Sequence, residues 1–600
     1  MKNKAKKLLM TLVASSTLIT SGSTLATPPQ TFSNVFTFGD SFSTPANSWS
    51  ALVTEHYGFK YVNNQTNFSL GGASTNSLSP ELSTYKANVK TFDPNALYMM
   101  YMGPNDADSI LIALRSDLSE LLFTRGLTFE QIMSGVKDGS LTSNDFPDTT
   151  AEVVSRGNNV SEFVKNISDG GAKYIVVLNH FNESYRQFIL GGTDEEENFA
   201  GGFLSNSFNQ AIYSAINKSA PSANVIYADY GRLVAELATN PSSFFTANEL
   251  ENTIEDEGVF DLTAHPTPAA HKITAQYILS VIESPSRIAY VREIPIAIGE
   301  NVAQNIRSKS YDLTMNESEM FSGDINGNYL DFHTKSKTVK DIGIKKSDTS
   351  EIAANFNYKL ADNLVVGFGI NGDKSNMSFK NNNGKAEIKE LLLTLNGTYK
   401  FDNPIFVYGA IGSGWIKYDI KRQINLGQAI RIEQGKPRGM HYIATIGTGY
   451  QYNAFAETNL TPFINVNYQK VSLKSYTEKG EISSTTMSFN IPDRKSVITE
   501  IGARIDGNVN VKENISVTPS FTLTYGYDFI NPIKKQAKAK VSDMPKQFEV
   551  PTYKTDKSYV GISGELSAQT NNINYGVRAG SRLSKNTKFW FAGLFCKYSF

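Results

Sequence analysis

The sequence predicts a multi-domain chain: an α/β domain built on a parallel sheet, followed by a transmembrane antiparallel β-barrel of about 12 strands. Three observations predict it. Residues 30–285 alternate short runs rich in Val, Ile, Tyr and Phe with helix-like stretches, the pattern of βαβ units. Residues 310–600 carry segments of about ten residues in which apolar and polar side chains alternate, the pattern of barrel strands. At 600 residues the chain is too long for one ordinary core.

Composition narrows the class. Hydrophobic residues make up 40% and charged residues 19%, which excludes bulk disorder. Lys+Arg 57 against Asp+Glu 58 gives a formal charge of −1, so no general field favours nucleic acid. The single cysteine, Cys596, excludes an intramolecular disulfide framework and a cysteine-ligated zinc site. Beyond the N-terminus no run reaches the roughly 18 apolar residues of a membrane helix.

Residues 1–26 read as an export signal. Lys2, Lys4, Lys6 and Lys7 precede the mostly apolar run Leu8–Thr20, and Thr24-Leu25-Ala26 supplies small residues before a cut. The α/β domain is then expected over 27–286. Its strands are Asn34–Phe38, Ala96–Met102, Lys173–Asn179 and Asn224–Asp229, with helices such as Val153–Ser168 and Phe203–Lys218 between them. Residues 106–152 and 181–202 read as insertions at the sheet's edge. Residues 287–309, despite Pro295 and Gly299, are helix-compatible and read as a linker helix, threading a barrel lumen or lying on the surface.

The barrel is expected over 310–600. Ile515, Val517, Pro519, Phe521, Leu523, Tyr525 and Tyr527 share one strand face, against Ser516, Thr518, Ser520, Thr522 and Thr524 on the other. Leu460, Pro462, Ile464, Val466 and Tyr468 repeat the pattern. A soluble sandwich also alternates, but the small polar residues of the second face suit a lumen, and aromatics near segment ends suit an interfacial girdle. A closed barrel pairs every backbone group without apolar helices. Trp590, Ala592, Leu594, Cys596, Tyr598 and Phe600 lie on one face of a last strand. That strand resembles the C-terminal strand of bacterial outer-membrane proteins, whose terminal aromatic is part of the insertion signal. Cys596 would face lipid as a small hydrophobe.

Four pieces in the first half carry chemistry. Phe38-Gly39-Asp40-Ser41-Phe42 follows the first strand, where a glycine permits a sharp turn and a serine stands at the sheet's rim. In Asn67-Phe68-Ser69-Leu70-Gly71-Gly72-Ala73-Ser74, adjacent glycines leave a backbone N–H open to a site. Gly103-Pro104-Asn105-Asp106 follows the second strand and offers an amide donor for a developing oxyanion. Asp261-Leu262-Thr263-Ala264-His265-Pro266-Thr267 supplies an imidazole base and a nearby carboxylate.

Together and in this order these motifs resemble the GDSL lipase/esterase family, also called SGNH hydrolases, which have a flavodoxin-like parallel sheet. With the export signal and the barrel, the whole chain resembles the GDSL autotransporter esterases. The resemblance implies that Ser41 is the nucleophile, that Ser41 N–H, Gly72 N–H and the Asn105 amide form the oxyanion hole, and that His265 is the general base. Gly72 is preferred to Gly71 because the family places a small residue after the functional glycine. The family's acid stands three residues before the histidine, where this chain has Leu262; Asp261, four before, is expected to reach the imidazole, with Asp256 and Glu257 as alternatives. Asp40 is expected to support the turn, and His271 and His180 to serve structure. The resemblance implies no cofactor and no metal.

The expected activity is hydrolysis of acyl esters or lipids at the cell surface, with the barrel, a monomer, placed in the outer membrane by the barrel-assembly machinery. Nothing marks a processing site near residue 300, so the domain is expected to stay attached. The alternatives are a phospholipase or lipid acyltransferase of the same family, and a non-catalytic adhesin on a barrel anchor.

Overall fold

The computed structural model describes residues 32–600, apart from 188, 252, 255–256, 316–319, 336–341, 456, 481–482, 513–514, 531–535 and 554–555. The export-signal segment and Asp256 lie outside the described residues.

Four five-residue strands form the parallel sheet: β1 Val35–Gly39, β2 Leu97–Tyr101, β3 Tyr174–Leu178 and β4 Asn224–Ala228, in that spatial order. All of β1, β2 and β3 is buried, as expected of a parallel sheet covered by helices on both faces. Residues 66–70 run alongside β1: Thr37 N–H donates to the Thr66 carbonyl at 2.9 Å, Phe68 N–H to Thr37 at 2.8 Å and Leu70 N–H to Gly39 at 2.9 Å. This edge segment brings the paired glycines to the end of β1 where Ser41 stands.

Residues 106–152 are not an insertion. They begin with the helix Pro104–Ser119, whose Ile110, Leu111, Leu114 and Leu118 are buried in the domain core. A helix with a full apolar stripe is a layer of the fold. The segment 181–202 likewise ends as the first two turns of the helix Asp194–Ser219.

Twelve antiparallel strands form the barrel, closed where Thr587–Ser599 pairs with Phe321–Thr334. Alternation sorts their side chains. Ile352, Ile411, Ile446 and Leu594 face outward, each more than 60% exposed, and Cys596 is exposed beside them. Asn326, Asn328, Glu351, Glu390, His441, Gln469 and Glu500 are buried inside. Such an arrangement is stable only in lipid, which solvates the apolar wall.

The helix Pro268–Ala289 continues through the short turn Tyr290–Arg292 into the helix Glu293–Met315, which fills the lumen. The helical linker therefore extends six residues past the expected boundary at 309, and the first barrel strand begins at Phe321. The barrel wall satisfies the polar groups of this helix. Asn301 donates to Glu351 at 2.8 Å, Lys309 pairs with Asp324 at 2.7 Å, Glu300 with Arg582, and Arg307 Nη1 with Glu500 Oε2 at 2.7 Å. Arg307 also lies 4.2 Å from the Phe463 ring centroid. Removing one partner strands the other in the interior, so Arg307→Ala should cost about 3–5 kcal/mol. Its barrel should lose heat-modifiable gel mobility at a clearly lower temperature than wild type.

Outer hairpins of the barrel grip the α/β domain. A small sheet of Tyr476–Thr477, Met487–Asn490, Gln536–Val541 and Phe548–Pro551 rises from them. From it Gln536 donates to the Tyr174 hydroxyl at 3.0 Å, and the Pro551 carbonyl accepts from Ser286 at 2.7 Å. Arg431 meets Glu236 at 2.6 Å nearby.

Candidate active site

The turn after β1 is built around two buried carboxyls. Gly39 adopts φ +147°, and a Cβ there would lie 2.4 Å from the Tyr101 carbonyl oxygen, so the chain passes β2 closely only as glycine. Asp40 is fully buried and its Oδ1 accepts from Phe42 N–H at 2.9 Å. It braces the turn, and burial pushes its carboxyl up to about 8. Glu81, from the helix Leu78–Asn88, accepts from Gly39 N–H at 3.0 Å, and burial pushes it up to about 9.

Those shifts carry a sign. The unfolded chain releases the Glu81 proton near pH 4.5, while the folded chain holds it to about pH 9. Between those limits the folded state binds more protons, so its stability falls as pH rises. Glu81→Gln removes this term, so the variant should gain on wild type steadily from pH 5 to pH 9 in urea unfolding of the full chain.

Ser41 is half-buried and its Oγ lies 3.0 Å from Nε2 of His265, which is exposed. The histidine sits on a tight loop. Ala264 takes φ +62°, Ala264 N–H donates to the Asp261 carbonyl at 2.9 Å, and Asp261 N–H to the His265 carbonyl at 2.8 Å. Thr267 then caps the helix Pro268–Ala289. The Phe42 ring, 5.7 Å from the imidazole, packs behind it.

The carboxylate does not go where the spacing led one to expect. Asp261 Oδ1 accepts from Thr263 N–H at 2.8 Å, the Thr263 hydroxyl at 2.6 Å and His265 N–H at 3.2 Å. It makes no bond to the ring. The ring Nδ1 instead faces the Thr263 carbonyl at 2.9 Å. With Asp261 four positions before His265 rather than three, the carboxylate falls beneath the turn and caps its N–H groups. Leu262, at the family's usual acid position, is 72% exposed. Partial burial pushes the Asp261 carboxyl up, but the Thr263 hydroxyl and the two N–H donors outweigh it and hold the group below the usual carboxylate range.

Gly72 is exposed with φ +72°, at the turn closed by Ala73 N–H on the Leu70 carbonyl at 3.1 Å. Asn105 Nδ2 donates to the Ala73 carbonyl at 2.8 Å, which leaves its second amide hydrogen for another acceptor. Asp106, fully buried, takes Thr75 N–H at 2.9 Å and the Thr75 hydroxyl at 2.8 Å. This clamp ties the glycine loop to the start of the helix Pro104–Ser119. His180 pairs with Glu183 at 2.6 Å, and Arg186 links Glu183 (2.8 Å) to the Pro104 carbonyl (3.2 Å). His271 is buried and accepts from Trp49 N–H at 3.3 Å; burial lowers it to about 4. Thr263, Asp106 and Glu81 were not singled out in the sequence. Asp106, directly after Asn105, and Thr263, between Asp261 and His265, sit within two of the four motifs, while Glu81 lies outside all of them.

A contact of serine and histidine at the rim of a parallel α/β sheet, borne on a lipid-facing barrel, defines a barrel-anchored hydrolase. Comparison with known proteins agrees. Residues 35–278 match the GDSL-like lipase/acylhydrolase family and residues 327–580 the autotransporter β-domain. Lipase 1 of Photorhabdus luminescens is 21% identical over 558 residues, covering 80% of this chain and 83% of that protein. Esterase EstA of Pseudomonas aeruginosa is 21% identical over 334 residues, 51% of this chain and 50% of its own length. Among solved structures, the translocator domain of autotransporter NalP from Neisseria meningitidis aligns with TM-score 0.40 and 14% identity, over 52% of this chain and 99% of that one. The chain thus carries a GDSL-like lipase/acylhydrolase domain and an autotransporter β-domain: it is an ester hydrolase anchored in the outer membrane, with its passenger domain exported to the cell surface.

Proposed function

We propose that Ser41 attacks the carbonyl of an acyl ester while His265 takes its proton. The Ser41–His265 hydrogen bond, joining residues 224 apart in sequence, carries this reading. A carbonyl can only accept, so the Thr263 oxygen keeps the proton on Nδ1 and leaves Nε2 free to receive one from Ser41. Thr263 thus takes the orienting role expected of the acid, and Asp261 acts through it as a positioning residue. The N–H groups of Ser41 and Gly72 and the Asn105 amide stabilise the tetrahedral oxyanion. The alcohol leaves with the proton from His265, and water releases the acyl group. Exposure of His265 and Gly72 gives water direct access, which favours hydrolysis over transfer to another alcohol.

The domain stays attached, because one helical path leads from the histidine loop into the lumen. The barrel acts as a monomer and enters the membrane through the barrel-assembly machinery. A panel of short- and long-chain esters and phospholipids on intact cells, comparing wild type with Ser41→Ala, tests activity and display together. Equal turnover by both would overturn the reading.

The role of Thr263 has its own test. Loss of an aspartate that directly orients a catalytic histidine costs about 10⁴ in kcat. Here Asp261→Asn should keep kcat within about tenfold, since the amide oxygen still accepts from the turn. Steady-state kinetics with a soluble ester separates the two outcomes.

A further inference from the structure

The outer wall of the barrel carries a row of cations in register. Lys374 lies directly opposite Lys389, Lys389 opposite Lys417, and Lys417 opposite Arg438, on four adjacent strands. All four are exposed. Exposed Lys474, whose N–H donates to the Arg438 carbonyl at 2.8 Å, extends the row. Like charges directly opposite one another on a sheet destabilise it. Glu387 compensates one end, at 3.1 Å from Lys374 and 2.7 Å from Lys389. Among the described residues no carboxylate pairs with Lys417 or Arg438, and the nearby Asp419 is engaged by Gln434 at 2.6 Å.

The row's position says what compensates it. The next outward row, two residues along each strand, is Gly372, Leu391, Trp415 and Met440. Leu391 is 46% exposed and Trp415 52%, so this is the edge of the lipid-facing band, with an aromatic at the interface. The cations lie on the side of the α/β domain: the hairpin that follows Lys417 touches that domain, Gln428 N–H donating to the Phe244 carbonyl at 3.0 Å and Gly427 N–H to Gln276 at 2.9 Å. The row therefore stands at headgroup level of the outer leaflet. At about 4.8 Å between strands, four cations span roughly 15 Å. We propose that this row binds the phosphate of an anionic outer-leaflet lipid, whose chains lie on Leu391 and Trp415 below. The bound phosphate screens Lys417 and Arg438 from each other.

The test uses the full chain in phosphatidylcholine vesicles holding about a tenth phosphatidic acid, then gentle extraction and native mass spectrometry to count retained lipids. Wild type should retain phosphatidic acid well above its share. Lys417→Gln with Arg438→Gln should cut that enrichment roughly 30-fold, at about 1 kcal/mol per cation. Lys346→Gln, at another cation already paired with Asp348 at 2.9 Å, should change little. Ester turnover and heat-modifiable mobility report that each variant is folded. In lipid-free zwitterionic detergent the double variant should be the more heat-resistant, because repulsion along the row is relieved. Retention of the two lipids in proportion to supply, equal enrichment in the double variant, or release of the lipid by inorganic phosphate at millimolar concentration would each overturn the proposal.

Discussion

Ser41→Ala should lower kcat/KM for a soluble ester by about 10⁵–10⁶, and His265→Ala by the same order. In the proposed mechanism the two side chains act as a pair across their 3.0 Å contact, so loss of either disables the other. The double variant should therefore be scarcely worse than each single one, far from the product of the two losses. Residual turnover should remain above the uncatalysed rate, because the backbone N–H groups of residues 41 and 72 survive both changes. Stability should hardly move, since His265 is exposed and Ser41 half-buried. Single-turnover kinetics with a chromogenic ester measures this, with thermal unfolding as the control for folding. A double variant much slower than either single one would show that the two residues act separately.

Asn105→Ala should lower kcat by about 10²–10³ with little change in KM, the signature of a donor that matters most when the carbonyl oxygen becomes charged. Asn105 also holds the Ala73 carbonyl at 2.8 Å, so part of the loss could come from a loosened glycine loop. The clamp from Asp106 to Thr75 persists in the variant and limits that part. Asn105→Asp separates the two effects. It is nearly isosteric but sets a negative charge where the oxyanion forms, so it should be slower than alanine. Steady-state kinetics on both variants reads the order, and an aspartate variant faster than the alanine one would remove Asn105 from the oxyanion hole.

Much of this was legible in the linear chain. Period-two alternation marked the barrel because each strand is sorted locally, one face toward lipid and one toward the lumen. The four strands of the sheet were legible because each is a short, mostly apolar run, buried almost throughout. The motifs around Ser41, Gly72, Asn105 and His265 each stand at the end of a strand or on a tight loop, where residue type and turn chemistry point the same way. The lumen helix was half legible: Glu300, Arg307 and Lys309 look like a solvated face until the barrel wall supplies their partners.

By itself the sequence determined the two-part architecture, the exported hydrolase on its barrel and the residue types of the site, because periodicity and turn preferences are local properties of a chain. Only the tertiary structure decided what faces the imidazole. Asp261 stood close enough in sequence to be the orienting acid, but the left-handed turn at Ala264 sends its carboxylate to the backbone and presents the Thr263 carbonyl to Nδ1. The same holds for the row from Lys374 to Arg438, whose members are 64 positions apart at the extremes and meet only through strand register. Direction and register are relations between segments, and neither is written in any one of them.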